Sequence, residues 1–429
     1  MQKKVQKINK GLSGRITIPA DKSISHRAVM LSSIAKGKYR GECLIKNFSG
    51  GADCFSTLNI FKQLGVDIYF INKKTLKVKS DGILKYTPIP LNAGNSGTTT
   101  RLLSGILAGQ NFNSTIIGDE SLSKRPMKRI IEPLTLMGAN IDAVDDHLPL
   151  TIHGQNLHGI IYPSKLSSAQ VKSCVLLAGL NAEGETTYTE PYLSRNHTEL
   201  MLKYMGADIS ANGNTVTIRP SELEPKDINI AGDISSATFF IVAGSIVKGS
   251  DFIIKNVGLN PTRTGILDII KRMNGHIELI DEFELSGEIA GDIRVQYCDN
   301  LVGCTIEGED IPKLIDELPV IAVLASQAEG QTIVKNAEDL RNKESDRIKC
   351  LVNELSKIGI NITETSDGFI IEGKAKIKGG AELESYHDHR LAMSFYVAGL
   401  IADDEILING FEWTKISVPE FEQLFNELI

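Results

Sequence analysis

The chain has 429 residues, 42% of them hydrophobic, and it carries a formal net charge of −7 at pH 7. This length exceeds one ordinary hydrophobic core, so we expect two domains of about 200 residues each. The negative charge argues against a nucleic-acid-binding protein with a general basic surface. The six cysteines form no CxxC pair, which predicts a reduced protein without structural zinc.

The N-terminal segment MQKKVQKINK is charged and leads into no apolar run. No later stretch is long and apolar enough to predict a membrane span. We therefore expect a cytoplasmic chain that binds neither membranes nor nucleic acid.

The first strong helix signal lies in residues 21–37, DKSISHRAVMLSSIAKG. Small and apolar residues recur there at three- and four-residue steps, which predicts a buried helix that Gly37 caps. Lys22 and Arg27 add positive charge to a helix start whose free amides already favour anions. We expect an anion site here, and the alternative is an ordinary solvated helix start.

The same pattern of a polar start followed by an apolar stretch rich in Ala, Gly and Ser recurs along the chain. Such segments predict buried, closely packed helices with functional N-terminal ends. In chain order they occupy residues 21–37, 95–109, 167–180, 233–249, 315–330 and 388–403, with Asp316 at the beginning of the fifth helix.

A second pattern follows most of these segments and indicates a helix that ends in glycine before a strand. Its copies lie at residues 61–68, 134–141, 201–209, 270–277 and 355–362. Their glycines suit a left-handed helix C-cap, and Asn274-Gly275 is a shifted copy. The period of roughly 70 residues is too long for a solenoid and predicts a pseudo-symmetric α/β protein of six units, three in each domain.

The sixth unit lacks the second glycine motif, whereas residues 1–18 form a strand region that belongs to no unit. We therefore expect the N-terminal strand to join the C-terminal half, with chain crossings near Pro19 and Gly232. One predicted domain comprises residues 1–19 and 232–429, and the other is an inserted domain of residues 20–231.

Candidate ligand-binding side chains gather at the predicted helix starts. GNSGTTTR forms a small-residue turn with free amides, and Arg125 precedes Pro126, which fixes the local backbone. Each such residue also has an ordinary explanation, such as a helix cap or a surface ion pair. Cations concentrated at helix starts of an acidic chain favour a polyanionic ligand.

Seven motifs, in this order, extend along nearly the whole chain: IPADKSISHR, GNSGTTTRLLSGILAG, SKRPM, SSAQVKS, SRNHTE, NKESDR and DHRLAMS. As a set they closely resemble the 5-enolpyruvylshikimate-3-phosphate synthases. The resemblance implies two pseudo-symmetric lobes, each of three βαβαββ units, in the inside-out α/β barrel of the enolpyruvyl transferases. It also implies a monomer and a glyphosate target.

The implied reaction transfers the enolpyruvyl group of phosphoenolpyruvate to the 5-hydroxyl of shikimate 3-phosphate and releases phosphate, without a metal or an organic cofactor. It is a step of the shikimate pathway towards chorismate and the aromatic amino acids.

The resemblance also assigns site residues. For the shikimate phosphate side it gives Lys22, Ser23, Arg27, Ser167, Ser168, Gln170 and Arg195. For phosphoenolpyruvate it gives Asn95, Gly97, Arg125, Arg347 and Arg390. Around the reacting hydroxyl and methylene carbon it gives Asp316, Lys343 and Glu344. We predict that Asp316 accepts the hydroxyl proton and that Glu344, with Lys22 close by, transfers a proton at carbon.

Two alternatives remain at this point. A UDP-N-acetylglucosamine enolpyruvyl transferase shares the donor, but its opening Lys-Asn pattern is absent and KSISHR stands instead. A non-catalytic protein that binds anionic metabolites is the other alternative, and the presence of Asp316 and Glu344 argues against it.

Overall fold

The computed structural model describes residues 1–36 and 41–429. The following strands are present: β1 (Gln2–Val5), β2 (Ser13–Thr17), β3 (Gly41–Lys46), β4 (Asp67–Asn72), β5 (Thr75–Ser80), β6 (Leu91–Asn92), β7 (Asn113–Ile117), β8 (Asn140–Val144), β9 (His147–His153), β10 (Ile161–Pro163), β11 (Thr186–Thr189), β12 (Ile209–Asn212), β13 (Thr215–Ile218), β14 (Ile228–Asn229), β15 (Asp251–Gly258), β16 (His276–Leu285), β17 (Glu288–Gln296), β18 (Thr305–Ile306), β19 (Gln331–Val334), β20 (Asn361–Glu364), β21 (Phe369–Glu372), β22 (Ala381–Glu384) and β23 (Ile406–Asn409).

The helices alternate with these strands, as expected for the predicted α/β fold class. They are α1 (Lys22–Ile34), α2 (Ala52–Gln63), α3 (Gly97–Ala108), α4 (Glu120–Ser123), α5 (Lys128–Leu136), α6 (Ala169–Gly179), α7 (His197–Tyr204), α8 (Ile234–Ile246), α9 (Gly265–Arg272), α10 (Asp310–Leu314), α11 (Leu318–Gln327), α12 (Arg347–Lys357), α13 (His389–Gly399) and α14 (Phe421–Leu428). Short 3₁₀ helices cover Glu338–Asn342 and Phe411–Ile416.

The described chain divides into two compact units. The first unit comprises Met1–Pro19, Ala231–Phe283 and Ile289–Ile429, and the second unit comprises Ala20–Ile230 and Glu284–Glu288. Each unit has a hydrophobic core of its own.

Each unit contains three small sheets, and the three sheets of the second unit share one topology. In the second unit the strand orders are β14-β3-β5-β4, β6-β7-β9-β8 and β10-β11-β13-β12. In each of them the first pair is parallel and the later pairs are antiparallel, as for β10, β11, β13 and β12. The recurrence of one local pattern in sequence therefore becomes a recurrence of one sheet, and the predicted α/β repeat is confirmed.

The first unit contains the sheets β16-β17-β15-β2, β18-β19-β21-β20 and the three-stranded β1-β23-β22. The N-terminal strands pair with strands from the other end of the chain, β1 with β23 and β2 with β15. The two N-terminal strands therefore belong to sheets of the first unit. The sheet that lacks a fourth strand is the one in the sixth unit, where the second glycine motif is missing.

The predicted apolar segments form the buried helices of each unit. In the second unit α3 packs against α1 and α6, and in the first unit α8, α11 and α13 pack against one another. Gly105 shows why small residues recur in them, because a Cβ atom there would lie 2.1 Å from the carbonyl oxygen of Cys174. Only glycine allows α3 and α6 to approach so closely.

The helix-glycine-strand motifs also have the predicted backbone. Gly65, Gly138, Gly206, Gly359 and Asn274 all have positive φ. At the first of these, the amide of Val66 donates to the carbonyl of Phe61 (3.0 Å), which is the closing bond of a Schellman motif. The predicted cap at Gly37 lies outside the described residues.

The start of the fifth buried helix differs from the prediction. Asp316 does not begin it, because α11 begins at Leu318 and Asp316 lies in the turn that follows α10. Proline has no amide hydrogen, so Pro319 cannot donate the bond that an earlier helix start would require. Asp316 is consequently a turn residue.

Among the described residues, no helix has both the length and the apolar character needed to span a membrane.

Candidate active site

The N-terminus of α1 carries the first group of predicted ligands. Asp21 caps the helix through its Oδ1, which accepts a hydrogen bond from the amide of Ile24 (2.8 Å). Lys22 forms an ion pair with Asp53 from α2 and remains 23% exposed. The positive end of the helix and a partly exposed ammonium group together suit an anionic ligand.

Arg27 lies one turn further along α1 and is only 3% exposed. Its Nη1 donates to the carbonyl of Ser23 (3.0 Å), Nε donates to Thr198 Oγ1 (2.6 Å), and Nη2 donates to Ser173 Oγ (2.8 Å). These bonds fix the guanidinium group relative to the backbone of Ser23. Arg27 thus supports the helix start as well as adding charge to it.

Two guanidinium groups converge at the N-terminus of α3. A Cβ atom at Gly97 would lie 3.0 Å from Arg101 Nη1 and 3.6 Å from Arg125 Nη1. Ser96 caps this helix by accepting from the amide of Thr99 (3.1 Å). Two like charges beside a helix N-terminus are unfavourable alone and favourable around a phosphate or carboxylate group.

Neighbouring side chains orient both guanidinium groups. Arg125 Nη2 donates to Asn95 Oδ1 (2.7 Å), and Asn95 Nδ2 donates to Asp119 Oδ2 (2.7 Å). Arg101 Nη1 donates to Gln170 Oε1 (2.6 Å). The structure therefore brings the predicted residues Asn95, Gly97, Arg125 and Gln170 together around Arg101.

The remaining predicted residues of the second unit lie at the start of α6 and just before α7. Ser168 caps α6, and Ser167 Oγ accepts from the amide of Tyr192 (2.8 Å). Arg195 is half-buried in the segment that leads into α7.

A buried chain of hydroxyl groups joins the starts of α1 and α3. His26 Nδ1 lies 2.7 Å from Thr57 Oγ1, which lies 2.7 Å from Thr99 Oγ1, and the Thr99 hydroxyl donates to Ser96 Oγ (2.7 Å). His26 is fully buried, and its Nε2 has no hydrogen-bond partner among the described residues. Burial lowers the pKa of His26 from 6.5 to about 3.

Stability of the protein should consequently fall in acid. Between about pH 6.5 and pH 3 the unfolded chain binds a proton at residue 26 that the folded chain does not bind, so stability decreases as the pH falls. When the pH is lowered from about 7 to about 4.5, the free energy of unfolding should fall in the parent. In His26→Asn this fall should be smaller by about 2 kcal/mol. Urea unfolding at the two pH values measures this, and equal losses would contradict it.

The first unit holds a buried network around Arg347, whose side chain is 2% exposed. Its Nε donates to Asp388 Oδ2 (2.7 Å), Nη2 donates to Glu344 Oε2 (2.5 Å), and Nη1 lies 3.4 Å from Asp316 Oδ1. Burial alone would lower the pKa of Arg347, but the three carboxylates, Asp388 foremost, raise it above its ordinary value. The guanidinium group therefore stays charged and gathers the carboxylates.

Lys343 completes the set at this place. Its Nζ lies 3.6 Å from Asp316 Oδ1 and 3.5 Å from Asp339 Oδ2. The side chains of Asp316 and Glu344 are 18% and 22% exposed, so solvent reaches both carboxylates. The structure thus brings Asp316, Lys343, Glu344 and Arg347 together.

Arg390 is the second residue of α13, directly after His389, and its side chain is 11% exposed. Its Nη1 donates to the carbonyl of Ser235 (3.3 Å) and lies 3.7 Å from Glu317 Oε1. The guanidinium group also lies over the ring of Phe239, 5.9 Å from its centroid. These contacts hold Arg390 at the N-terminal end of the buried helices.

Sequence reasoning did not select Asp53, Arg101, Glu317 or Asp388 as site residues. Asp53 and Asp388 look in sequence like common acidic residues at a helix start, and only their cation partners distinguish them. Arg101 follows Gly97 by four residues, so the helical period already placed the two on one face. That spacing was the one available signal.

The fold is that of the enolpyruvyl transferases. A solved structure of the enolpyruvyl transferase NikO from Streptomyces tendae superposes with a TM-score of 0.80 at 18% identity, covering 99% of this chain and 96% of that one. At this identity the likeness concerns the fold alone.

The family follows from closer relatives. The family model of EPSP synthase (3-phosphoshikimate 1-carboxyvinyltransferase) matches residues 6–425. Curated 3-phosphoshikimate 1-carboxyvinyltransferases from Thermoanaerobacter sp. (strain X514) and Thermodesulfovibrio yellowstonii are each 50% identical to the chain, over 97% and 98% of it and 98% of each relative. An EPSP synthase structure from Acinetobacter baumannii is 42% identical with a TM-score of 0.88, covering 100% of this chain and 98% of that chain. The chain belongs to the EPSP synthase family.

Proposed function

We propose that this chain transfers the enolpyruvyl group of phosphoenolpyruvate to the 5-hydroxyl of shikimate 3-phosphate. The observation that carries the proposal is the pair of carboxylates at Arg347, with Asp316 Oδ1 3.4 Å from its Nη1 and Glu344 Oε2 2.5 Å from its Nη2. Addition of a hydroxyl group to an enol phosphate needs one group that takes a proton from oxygen and one that gives a proton to carbon. The two carboxylates meet that need.

The bond changes follow from these roles. Asp316, as the carboxylate, accepts the proton of the attacking 5-hydroxyl while the hydroxyl oxygen bonds to C2 of phosphoenolpyruvate. Glu344, which enters this step as the neutral acid, delivers a proton to C3. The resulting tetrahedral ketal phosphate then loses a proton from C3 and expels phosphate, which restores the double bond. Glu344 takes up that second proton, and the proton that Asp316 accepted leaves with the phosphate as hydrogen phosphate. Both side chains thereby return to their starting protonation states.

The cations supply orientation and charge stabilisation. Arg125 and the predicted Gly97 turn suit the donor's phosphate, with Arg347 and Arg390 as further donor ligands. For the acceptor phosphate we propose Lys22, Ser23, Ser167, Ser168, Gln170 and Arg195. We assign Arg27 a further task, because its bond to the Ser23 carbonyl holds the helix start in place.

The second unit in this proposal is the lobe that binds the shikimate phosphate side, and the first unit is the lobe that contributes the acid/base residues. Because all of these residues come from a single chain, we also propose that the protein acts as a monomer, and that it acts in the cytoplasm.

Phosphate release tests the acceptor. We expect phosphate when phosphoenolpyruvate is mixed with shikimate 3-phosphate, and none with UDP-N-acetylglucosamine or with phosphoenolpyruvate alone. Release with UDP-N-acetylglucosamine would instead support the related transferase. Binding of shikimate 3-phosphate without any phosphate release would support a non-catalytic binding protein.

Gly97→Ala should affect glyphosate more than phosphoenolpyruvate. The added methyl group would lie 3.0 Å from Arg101 Nη1 and would reduce the space beside the guanidinium groups of Arg101 and Arg125. Glyphosate is longer than the donor and has less freedom to shift, so we expect its inhibition constant to rise more than about tenfold and the donor KM to change less.

Gly50→Ala is the matched control, since a Cβ atom at this exposed glycine meets nothing within 4 Å. Steady-state inhibition of both variants gives the two constants. Unchanged constants in Gly97→Ala would show that Gly97 does not line the donor site.

A further inference from the structure

A lysine with no exposed surface lies on α6, two residues after Gln170. Lys172 Nζ lies 2.8 Å from Glu190 Oε1 and 2.8 Å from Glu199 Oε1, and the three side chains are 0%, 1% and 7% exposed. Removing such charges from water is expensive, and an ion pair of this kind often adds little to stability over well-packed apolar residues. We therefore expect this cluster, Lys172, Glu190 and Glu199, to have a role other than stabilising the fold.

The cluster holds one residue, Ser194, by each of its polar groups. Glu190 Oε1 accepts from the Ser194 amide (2.8 Å), Glu190 Oε2 accepts from the Ser194 hydroxyl (2.6 Å), and Lys172 Nζ donates to the Ser194 carbonyl (3.1 Å). Ser194 itself is 2% exposed. Its backbone is consequently fixed on both sides of the α-carbon.

The residue that follows Ser194 is Arg195, which we propose as a ligand of the shikimate phosphate side. The residue that follows Lys172 is Ser173, whose hydroxyl accepts from Arg27 Nη2 (2.8 Å). The buried ion pair thus lies behind two proposed phosphate ligands. A fixed backbone at Ser194 limits where the Arg195 guanidinium group can reach.

We propose that Lys172 and Glu190 are positioning residues that hold the Ser194 backbone and thereby aim Arg195 at the acceptor phosphate. The proposal rests on the proposed function and deepens it. Neither side chain touches substrate in this account. Their effect is confined to the acceptor and reaches it through Arg195.

Glu190→Gln is the principal test, because it keeps the shape and removes the charge and one of the two acceptor oxygens. We expect the KM for shikimate 3-phosphate to rise about tenfold, with the KM for phosphoenolpyruvate and kcat within about threefold of the parent. Glu185→Gln is the matched control, because Glu185 directly precedes β11 and Glu190 directly follows it. Glu185 forms an exposed pair with Arg219 (2.6 Å), and this variant should keep both KM values.

The same change made in an Arg195→Ala background separates positioning from a general structural effect. If Glu190 acts through Arg195, Glu190→Gln adds no further rise in the acceptor KM once Arg195 is gone. Full additivity of the two changes would overturn the proposal, as would an acceptor KM that stays unchanged in Glu190→Gln or in Arg195→Ala.

Ser194→Ala covers the case in which Glu190→Gln does not fold. It removes only the 2.6 Å bond to Glu190 Oε2, and we expect a rise of about threefold in the acceptor KM that again disappears in the Arg195→Ala background. The parent enzyme distinguishes the two failures. A parent that releases no phosphate from shikimate 3-phosphate and phosphoenolpyruvate contradicts the proposed function, whereas an active parent with unaffected variants contradicts only the positioning role.

Discussion

Glu344→Gln is expected to lower kcat by about two to four orders of magnitude, the usual contribution of a general acid/base group. Glutamine matches glutamate in size and still accepts a hydrogen bond from Arg347 Nη2, 2.5 Å away in the parent. It cannot give a proton to C3 of phosphoenolpyruvate or take one back. Binding of both substrates should persist, because Arg347 keeps its bonds to Asp388.

Glu338→Gln provides the control for this change. Glu338 is exposed on the 3₁₀ helix that precedes Glu344, so the same chemical substitution there should leave kcat unchanged. Rapid-quench and steady-state kinetics on both variants, with urea unfolding to confirm their folding, give the comparison. A Glu344→Gln variant that turns over at the parental rate would exclude Glu344 from proton transfer.

Asp316→Asn is expected to reduce kcat by at least about two orders of magnitude. The parent carboxylate lies 3.4 Å from Arg347 Nη1 and 3.6 Å from Lys343 Nζ, and these two cations orient it. Asparagine keeps the shape but cannot accept the hydroxyl proton. The KM for shikimate 3-phosphate should change far less than kcat.

Asp310→Asn is the matched control, since Asp310 lies on α10 just before the turn that contains Asp316. Asp310 accepts a bond from Arg272 Nη2 (2.7 Å) at an exposed position. Its loss should not affect turnover. If Asp316→Asn kept full kcat, another group would have to accept the proton of the 5-hydroxyl.

The repeated architecture could be predicted because its signals are local. A helix that ends in a left-handed residue needs glycine or asparagine at one position, and Gly65, Gly138, Gly206, Gly359 and Asn274 all have the positive φ that this requires. Alternation of apolar and polar residues is a local signal of the same kind, and residues 75–80, TLKVKS, form β5. Each unit could thus be recognised from a few neighbouring residues.

Contacts between distant residues could not be predicted in the same way. Arg347 and Asp388 are 41 residues apart, and Lys22 and Asp53 are 31 apart, so no spacing in the chain indicates that they form ion pairs. The family resemblance named Arg347 as a donor ligand, but it did not show that the guanidinium group is buried among three carboxylates. That arrangement depends on how the starts of α12 and α13 pack.

At the start of α11 two local signals in the sequence disagreed, and the prediction followed the wrong one. The polar residues before the apolar stretch suggested a helix beginning at Asp316, whereas Pro319 limits how far back the helix extends. This difference matters for the site, because a turn residue is free to direct its carboxylate towards Lys343 and Arg347 rather than towards helix amides.

In the proposed reaction the chain protonates phosphoenolpyruvate at C3 while joining it to shikimate 3-phosphate. Proton NMR in deuterated buffer, with both substrates present, tests this most directly. We expect an enolpyruvyl ether of shikimate 3-phosphate and one phosphate for each product molecule. We also expect deuterium in part of the vinyl methylene groups of the product, because C3 is a methyl group in the tetrahedral intermediate. Product whose methylene contains no deuterium, or phosphate released without the ether, would contradict the account.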